Sequence, residues 1–331
     1  MKAVIMAGGY ATRLWPITKT KAKPLLPLGS KKIIDHVYEK VIDLEIPVII
    51  STNKRFEDDF REWAKGKKVE IIVENTRSEE EKLGAVKALA EIAKSLSEDL
   101  LVVAGDNVFS FSLRELNNFF LEKKKPVIGL YDVNDLELAK RYGVAEMEGE
   151  RIVKFYEKPE KPPSTLIGIG VYFLPKKAIE LLLEYVEKSK RSDNLGDFIG
   201  YLCENEEVYG LRFNGNWYDV GNADSYLEAF KSFTNHYVDR SAEIEKSVKI
   251  IEPVVIERGV RITGRSIIGP YAFIGNDCRI ESSDVSESIV FNGTILFKVK
   301  LWRSIVDEKC EIRNIQLTSS IVGGNAKIQG G

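Results

Sequence analysis

Six isoleucines, Ile250, Ile256, Ile262, Ile268, Ile274 and Ile280, recur at intervals of six residues. Two positions before each stands a small or slimmer residue: Val248, Val254, Val260, Ser266, Ala272 and Cys278. This is a hexapeptide repeat, in which each unit lays one short strand on the face of a prism and stacked coils bury a shared core. The period then shifts to 16, with the pairs Thr294/Leu296, Cys310/Ile312 and Ala326/Ile328, and with Ser288-Ile289-Val290, Ser304-Ile305-Val306 and Ser320-Ile321-Val322 in step. The repeats predict a left-handed parallel β-helix, and residues 236–331 are assigned to it.

The chain before this region has a different pattern. Lys2–Ala7 is a short apolar run closed by Gly8-Gly9, as in a buried parallel strand. Strands are also predicted at Pro47–Ser51, Val69–Val73, Leu100–Ala104 and Val127–Tyr131, alternating with helices over 31–45, 55–65, 79–96 and Leu113–Leu121. Such β-α alternation argues for a doubly wound, Rossmann-like α/β sheet, with ligands at the carboxyl ends of its strands. After residue 142 the pattern continues with a hairpin, Val144–Glu146 and Ile152–Glu157 around Glu148-Gly149-Glu150, then a strand at Leu166–Leu174 and a helix at Lys176–Val186. A strand at Trp217–Val220 and a helix over 223–234 follow. Residues 1–235 are thus expected to form one α/β domain.

Composition excludes several classes. With Lys+Arg 48 against Asp+Glu 50, the formal net charge of -2 provides no positive field for nucleic acid or an acidic membrane. No run approaches the ~20 apolar residues of a membrane span, and the N-terminal apolar run is too short for a signal peptide. Cys203, Cys278 and Cys310 lack CxxC spacing, so neither a disulfide framework nor a zinc knot is indicated, and a reducing cytoplasm is expected. Glutamine occurs only at Gln316 and Gln329 amid abundant Lys and Glu, a pattern that leans toward a thermophilic source.

The chemistry concentrates just after the first strand, in Gly8-Gly9-Tyr10-Ala11-Thr12-Arg13-Leu14-Trp15-Pro16 and then Lys23-Pro24-Leu25-Leu26-Pro27. A glycine turn at a strand end exposes backbone N–H groups to phosphate oxygens, and an arginine and a lysine in the same loop neutralise them. Neither a Walker loop nor GxGxxG is present. The segment resembles the signature of the sugar-nucleotide pyrophosphorylases, roughly GGxGTRLxPxT…KPLLP. Ala11 stands where most members have glycine, a change that is tolerable if its φ stays negative. The resemblance continues in order through Glu81-Lys82-Leu83-Gly84-Ala85, Gly105-Asp106-Asn107, Tyr142-Gly143-Val144-Ala145-Glu146, Glu157-Lys158-Pro159, Gly170-Val171-Tyr172-Phe173 and Trp217-Tyr218-Asp219-Val220-Gly221.

The resemblance implies an enzyme that transfers a nucleotidyl group from a nucleoside triphosphate to a sugar 1-phosphate. It implies Arg13, Lys23 and Asp106 as catalytic residues, and Ala7, Gly8, Gly9, Thr12, Arg13, Lys23 and Gly84 around the nucleotide. Tyr142, Gly143, Glu157, Lys158 and Gly170 would surround the sugar phosphate, and Asp106 and Asp219 would hold Mg²⁺, a hard cation satisfied by one or two carboxylates plus phosphate oxygens. No general base is needed, because the attacking phosphate is already anionic; only His36 and His236 exist, and His36 is read as structural. Thymidylyl or uridylyl transfer to glucose 1-phosphate is preferred, with guanylyl transfer to mannose 1-phosphate, a polyol or inositol phosphate acceptor, or a regulatory subunit as alternatives. Acyl transfer by the β-helix is disfavoured, because no histidine follows His236. The β-helix is expected to serve assembly or to pack on the catalytic domain, and a homo-oligomer is expected.

Overall fold

The computed structural model describes residues 1–96, 98–189 and 194–331. The chain divides into two compact units: Met1–Gly9 with Ile34–Tyr218, and Tyr10–Ile33 with Asp219–Gly331.

The first unit is built on a nine-stranded sheet in the order Val69–Glu74, Val48–Asn53, Lys2–Met6, Leu100–Ala104, Leu166–Leu174, Val127–Asp132, Val208–Phe213, Arg151–Glu157, Gly143–Glu148. The first four strands are mutually parallel, and Leu166–Leu174 runs antiparallel to Leu100–Ala104. Lys2–Met6 and its neighbours are nearly continuous apolar runs because both faces are covered. Val4, Ile49 and Val102 pack in one core with Val86 and Leu89 of the helix Ala85–Ala93 and with Ile179 and Leu182 of the helix Lys176–Lys188. The predicted hairpin is present, with Gly149 taking φ +60° between Gly143–Glu148 and Arg151–Glu157.

Two features of this unit depart from expectation. The helix predicted over 79–96 is a 3₁₀ turn at Glu79–Glu81 followed by an α-helix that starts only at Ala85. Gly84 takes φ +85°, ψ +152°, a conformation reserved for glycine, and breaks the helix before it can incorporate Leu83, which is exposed instead of lying in the apolar stripe. A helix Leu195–Asn205 and a strand Val208–Phe213 also occur, in a stretch where the sequence pattern predicts no element.

In the second unit, three sheets of short parallel strands stack as the faces of a prism, in agreement with the left-handed parallel β-helix read from the repeats. Ile256 pairs with Ile274, and Ile262 with Ile280, so one 18-residue coil consumes three hexapeptides. Farther on, Val290 pairs with Val306 and Leu296 with Ile312, giving coils of 16. Two of the three corners shorten, and residues there turn through the left-handed region, among them Ser282, Glu287, Lys298, Arg303, Asn314 and Ser319. The inward Ile256, Ile274, Val290 and Val306 form the core. On that same face the alternate, outward residues Val255, Phe273, Ile289 and Ile305 are buried too.

The helix Ala223–Phe233 covers part of this face. It starts in a capping box between Asn222 and Ser225 and brings Phe230 to 6.3 Å from the Phe273 ring. Arg303 reaches Glu228 at 2.7 Å and Asp224 at 3.3 Å, and Lys231 pairs with Glu287. Among the described residues, no helix is long and apolar enough to cross a membrane.

Candidate functional site

In the first unit most of the predicted site residues lie at strand ends, with Gly170 inside the strand Leu166–Leu174 and Gly84 at the start of a helix. Ala7 donates its backbone N–H to Ser51 at 2.7 Å, which holds the chain in sheet geometry up to the glycines. Gly8 follows with its carbonyl accepting from Asn53 Nδ2 at 2.9 Å, and Gly9 is exposed. Asn53 is wholly buried, and its Oδ1 accepts from Phe56 N at 3.2 Å. One side chain therefore fixes both the glycine turn and the entry to the helix Glu57–Trp63.

Gly105 and Asp106 end the strand Leu100–Ala104. Gly105 lies so close to Met6 that a Cβ would stand 2.8 Å from its carbonyl oxygen. Asp106 is half-buried, and its Oδ1 accepts from Asn107 Nδ2 at 2.9 Å. Gly170, at φ +72°, sits beside this turn: a Cβ on it would lie 2.7 Å from Ala104 Cβ and 3.7 Å from the Asn107 amide. Gly84 opens the helix Ala85–Ala93, and the preceding Leu83 N–H donates to Glu74 Oε1 at 2.9 Å.

Tyr142, Gly143, Glu157 and Lys158 meet across the hairpin. Gly143 pairs with Glu157, whose Oε2 lies 3.2 Å from where a Gly143 Cβ would be. Lys158 N–H donates to Tyr142 O at 3.0 Å, and Lys158 Nζ stands 3.0 Å from Glu157 Oε1. The Glu157 carboxylate abuts Gly196, in the first turn of the helix Leu195–Asn205, where any Cβ would overlap Oε2. A helix N-terminus favours negative charge there. Burial, and secondarily the Glu157 charge, push the Tyr172 phenol well above its ordinary range, so it stays neutral. Tyr142 packs edge-on against Trp217 at 5.2 Å, and the buried Trp217 Nε1 has no hydrogen-bond partner among the described residues.

Thr12, Arg13, Lys23 and Asp219 belong to the second unit. Thr12–Leu14 is a 3₁₀ turn with Thr12 and Arg13 exposed, and Lys23–Leu25 is another, with Lys23 half-buried. Ala11 contradicts the condition set for it: its φ is +49° and ψ +47°, in the left-handed region. The turn is held there by Thr18 Oγ1, which donates to Ala11 O at 2.7 Å. Asp219 is half-buried, and a Cβ on Gly221 would lie 3.2 Å from its Oδ2.

Asn53, Asn107 and Gly196 escape a reading of the sequence alone. Asn107 lies inside the Gly105-Asp106-Asn107 motif, but nothing local marks Asn53 or Gly196, whose partners lie 45 residues away at Gly8 and at Glu157, the last residue of the strand Arg151–Glu157.

A mixed sheet whose parallel part carries glycine turns and polar side chains at its strand ends, in a chain that continues into a β-helix, defines an α/β enzyme of the nucleotide-handling class. Residues 2–236 match the family described as nucleotidyl transferase, and the chain belongs to that family. The chain is 31% identical to the bifunctional protein GlmU of Methanocaldococcus jannaschii, over 97% of this chain and 81% of that protein. It is 30% identical to the GlmU of Methanococcus maripaludis strain C7, over 79% of this chain but only 62% of that longer protein. It is 28% identical to a glucose-1-phosphate thymidylyltransferase of Streptomyces antibioticus, over 98% and 96% of the two chains. Among solved structures, a Bacillus anthracis protein provisionally described as a glucose-1-phosphate thymidylyltransferase, in complex with sucrose, superposes with TM-score 0.63 at 26% identity, covering 72% of this chain and 98% of that one.

Proposed function

We propose that this enzyme transfers a nucleotidyl group from a nucleoside triphosphate to a sugar 1-phosphate and releases pyrophosphate, with dTTP or UTP and glucose 1-phosphate as the preferred pair. The observation that carries the reading is the hairpin cluster: a carboxylate, Glu157, faces Gly143 while the Lys158 ammonium stands 3.0 Å from it. A carboxylate for sugar hydroxyls beside a cation for phosphate suits a sugar phosphate. Similarity to a thymidylyltransferase along nearly the whole chain supports the same reaction.

In this reading the barrier is the repulsion between two anionic substrates, so neutralisation and in-line alignment do the catalysis. Ala7, Gly8, Gly9, Thr12 and Gly84 surround the nucleotide. Arg13 binds the outer phosphates and stabilises charge moving onto pyrophosphate. Lys23 contacts the α-phosphate or the attacking phosphate, and Lys158 holds the sugar phosphate. Tyr142 and Gly143 frame the sugar, and Gly170 lets the ring approach the backbone. Asp106 and Asp219 are assigned to Mg²⁺. Half-buried carboxylates are the hard oxygen donors that ion takes, and two suffice because substrate phosphates complete its shell. When bound, the ion screens phosphate charge.

Asp106→Asn tests the assignment: turnover is expected to vanish with circular dichroism unchanged, and near-normal turnover removes Asp106 from the metal site.

A further inference from the structure

The loop that carries Arg13 and Lys23 folds as part of the β-helix unit, and its seat there is specific. Three successive rungs present Phe291, Asp307 and Gly323 at one corner, each directly after the paired strands Ile289–Val290, Ile305–Val306 and Ile321–Val322. The coil length of 16 stacks these residues one above another: Phe291 N–H donates to Val306 O at 2.8 Å, and Asp307 N–H to Val322 O at 3.0 Å. The loop runs along this track. Lys21 Nζ lies 5.4 Å from the centre of the Phe291 ring and 2.7 Å from Asp307 Oδ1, and Pro16 is so close to Gly323 that a Cβ on the glycine would stand 3.0 Å from the proline Cγ.

Asp307 is nearly fully buried, and its Oδ1 is held by Glu308 N–H at 2.8 Å, so the carboxylate is preset before the lysine arrives. A Cβ on Gly324 would lie 3.2 Å from Asp307 Oδ2, so this glycine keeps the space beside the carboxylate clear. Each rung offers a different chemistry to the loop: an aromatic face, a buried anion and a bare backbone.

We infer that the β-helix is a positioning device for the triphosphate loop, and that Asp307, acting through Lys21, is a positioning residue for the nucleotide. The inference rests on the assignment of Arg13 and Lys23 to the triphosphate. Neither Lys21 nor Asp307 touches substrate in this account. They fix the segment between the two cations, whose placement must hold to a fraction of an ångström for in-line transfer.

The test compares full-length wild type with Asp307→Asn, which keeps the shape and the Glu308 contact but removes the charge, and with Lys21→Met, which reaches the same contact from the loop and leaves the β-helix core untouched. Two readouts are taken: hydrogen exchange of residues 11–25 without substrate, and separate KM values for triphosphate and sugar 1-phosphate. Expected are faster exchange confined to this segment and a rise of about tenfold or more in triphosphate KM in both variants, with the sugar-phosphate KM little changed. The double variant should be no worse than either single one. A merely structural role would raise neither KM selectively. Unchanged exchange and unchanged triphosphate KM in either folded variant overturn the inference, as does an equal rise in both KM values. If wild type releases no pyrophosphate with any substrate pair, the assigned reaction fails, and exchange alone then decides whether Asp307 holds the loop.

Discussion

Asn53 Nδ2 donates to the carbonyl of Gly8 at 2.9 Å, tying the glycine turn after the first strand to the end of its parallel neighbour. The same amide accepts from Phe56 N–H, so both of its ends are used in a fully buried place. Asn53→Ala takes the amide donor from the Gly8 carbonyl and leaves the turn untethered, while the Phe56 N–H keeps its 3.3 Å bond to the Asn53 backbone carbonyl. A buried polar group stripped of its partner costs about 1–3 kcal/mol, and that loss should appear as a lower urea midpoint at unchanged m-value. No shift in the midpoint would show that the amide does not hold the turn.

Ala11 is held at φ +49°, where an alanine Cβ is crowded and glycine is not. Ala11→Gly should therefore stabilise the protein, by about 0.5–1 kcal/mol after the extra freedom glycine gains in the unfolded chain is subtracted. Thermal unfolding read by calorimetry checks the sign. A destabilised variant would mean that the backbone is not strained at this position.

Gly196→Ala puts a methyl group where Glu157 Oε2 now lies. Alanine suits a helix better than glycine, so the fold should survive while the carboxylate turns away. The loss of a charge-assisted contact to the sugar should raise the sugar 1-phosphate KM about tenfold and leave the triphosphate KM nearly unchanged. A selective rise in the triphosphate KM would place Glu157 in the other subsite.

These cases also show how far the sequence can be read. The β-helix is legible because its periodicity is local: Ile256, Ile262 and Ile268 announce their faces without reference to anything else. The strands Lys2–Met6 and Leu100–Ala104 are legible because unbroken apolar runs next to glycine have few other uses. The φ of Ala11 is not legible, because it is imposed by the packing around it, including Thr18, and not by alanine itself. The pattern over 79–96 overextends its helix because Leu83 keeps the apolar spacing although Gly84 breaks the backbone. The strand Val208–Phe213 is hidden by Gly210, which is required where Leu130 and Ile152 crowd the sheet. The Lys21–Asp307 pair spans 286 residues and leaves no local trace.

Burial pushes the Cys278 thiol up to about 12, and burial with the nearby Glu204 charge does the same for Cys203. Neither is a thiolate near neutral pH, and thiolates are the reactive form. Iodoacetamide at pH 8 should leave both unmodified in the native protein and label them after denaturation, as read by mass spectrometry. The sign of the linkage follows: the unfolded thiols, at 9.0, lose protons before the folded ones. These thiols should therefore make stability fall as pH rises from about 9 toward 12, because they ionise in the unfolded chain before they do in the folded one. Stability that is flat or rising across that window would contradict the burial of these thiols.

The most direct test of the proposed reaction is pyrophosphate release from the wild-type protein. The assay crosses dTTP, UTP, GTP, CTP and ATP with the 1-phosphates of glucose, mannose, galactose and N-acetylglucosamine, with and without Mg²⁺. The account predicts Mg²⁺-dependent release with one clear pair, dTTP or UTP with glucose 1-phosphate. A clear preference for GTP with mannose 1-phosphate would keep the reaction and replace the pair. No release with any pair would contradict the assignment of a sugar 1-phosphate to the Gly143–Glu157–Lys158 cluster and turn attention to polyol phosphates or a regulatory role.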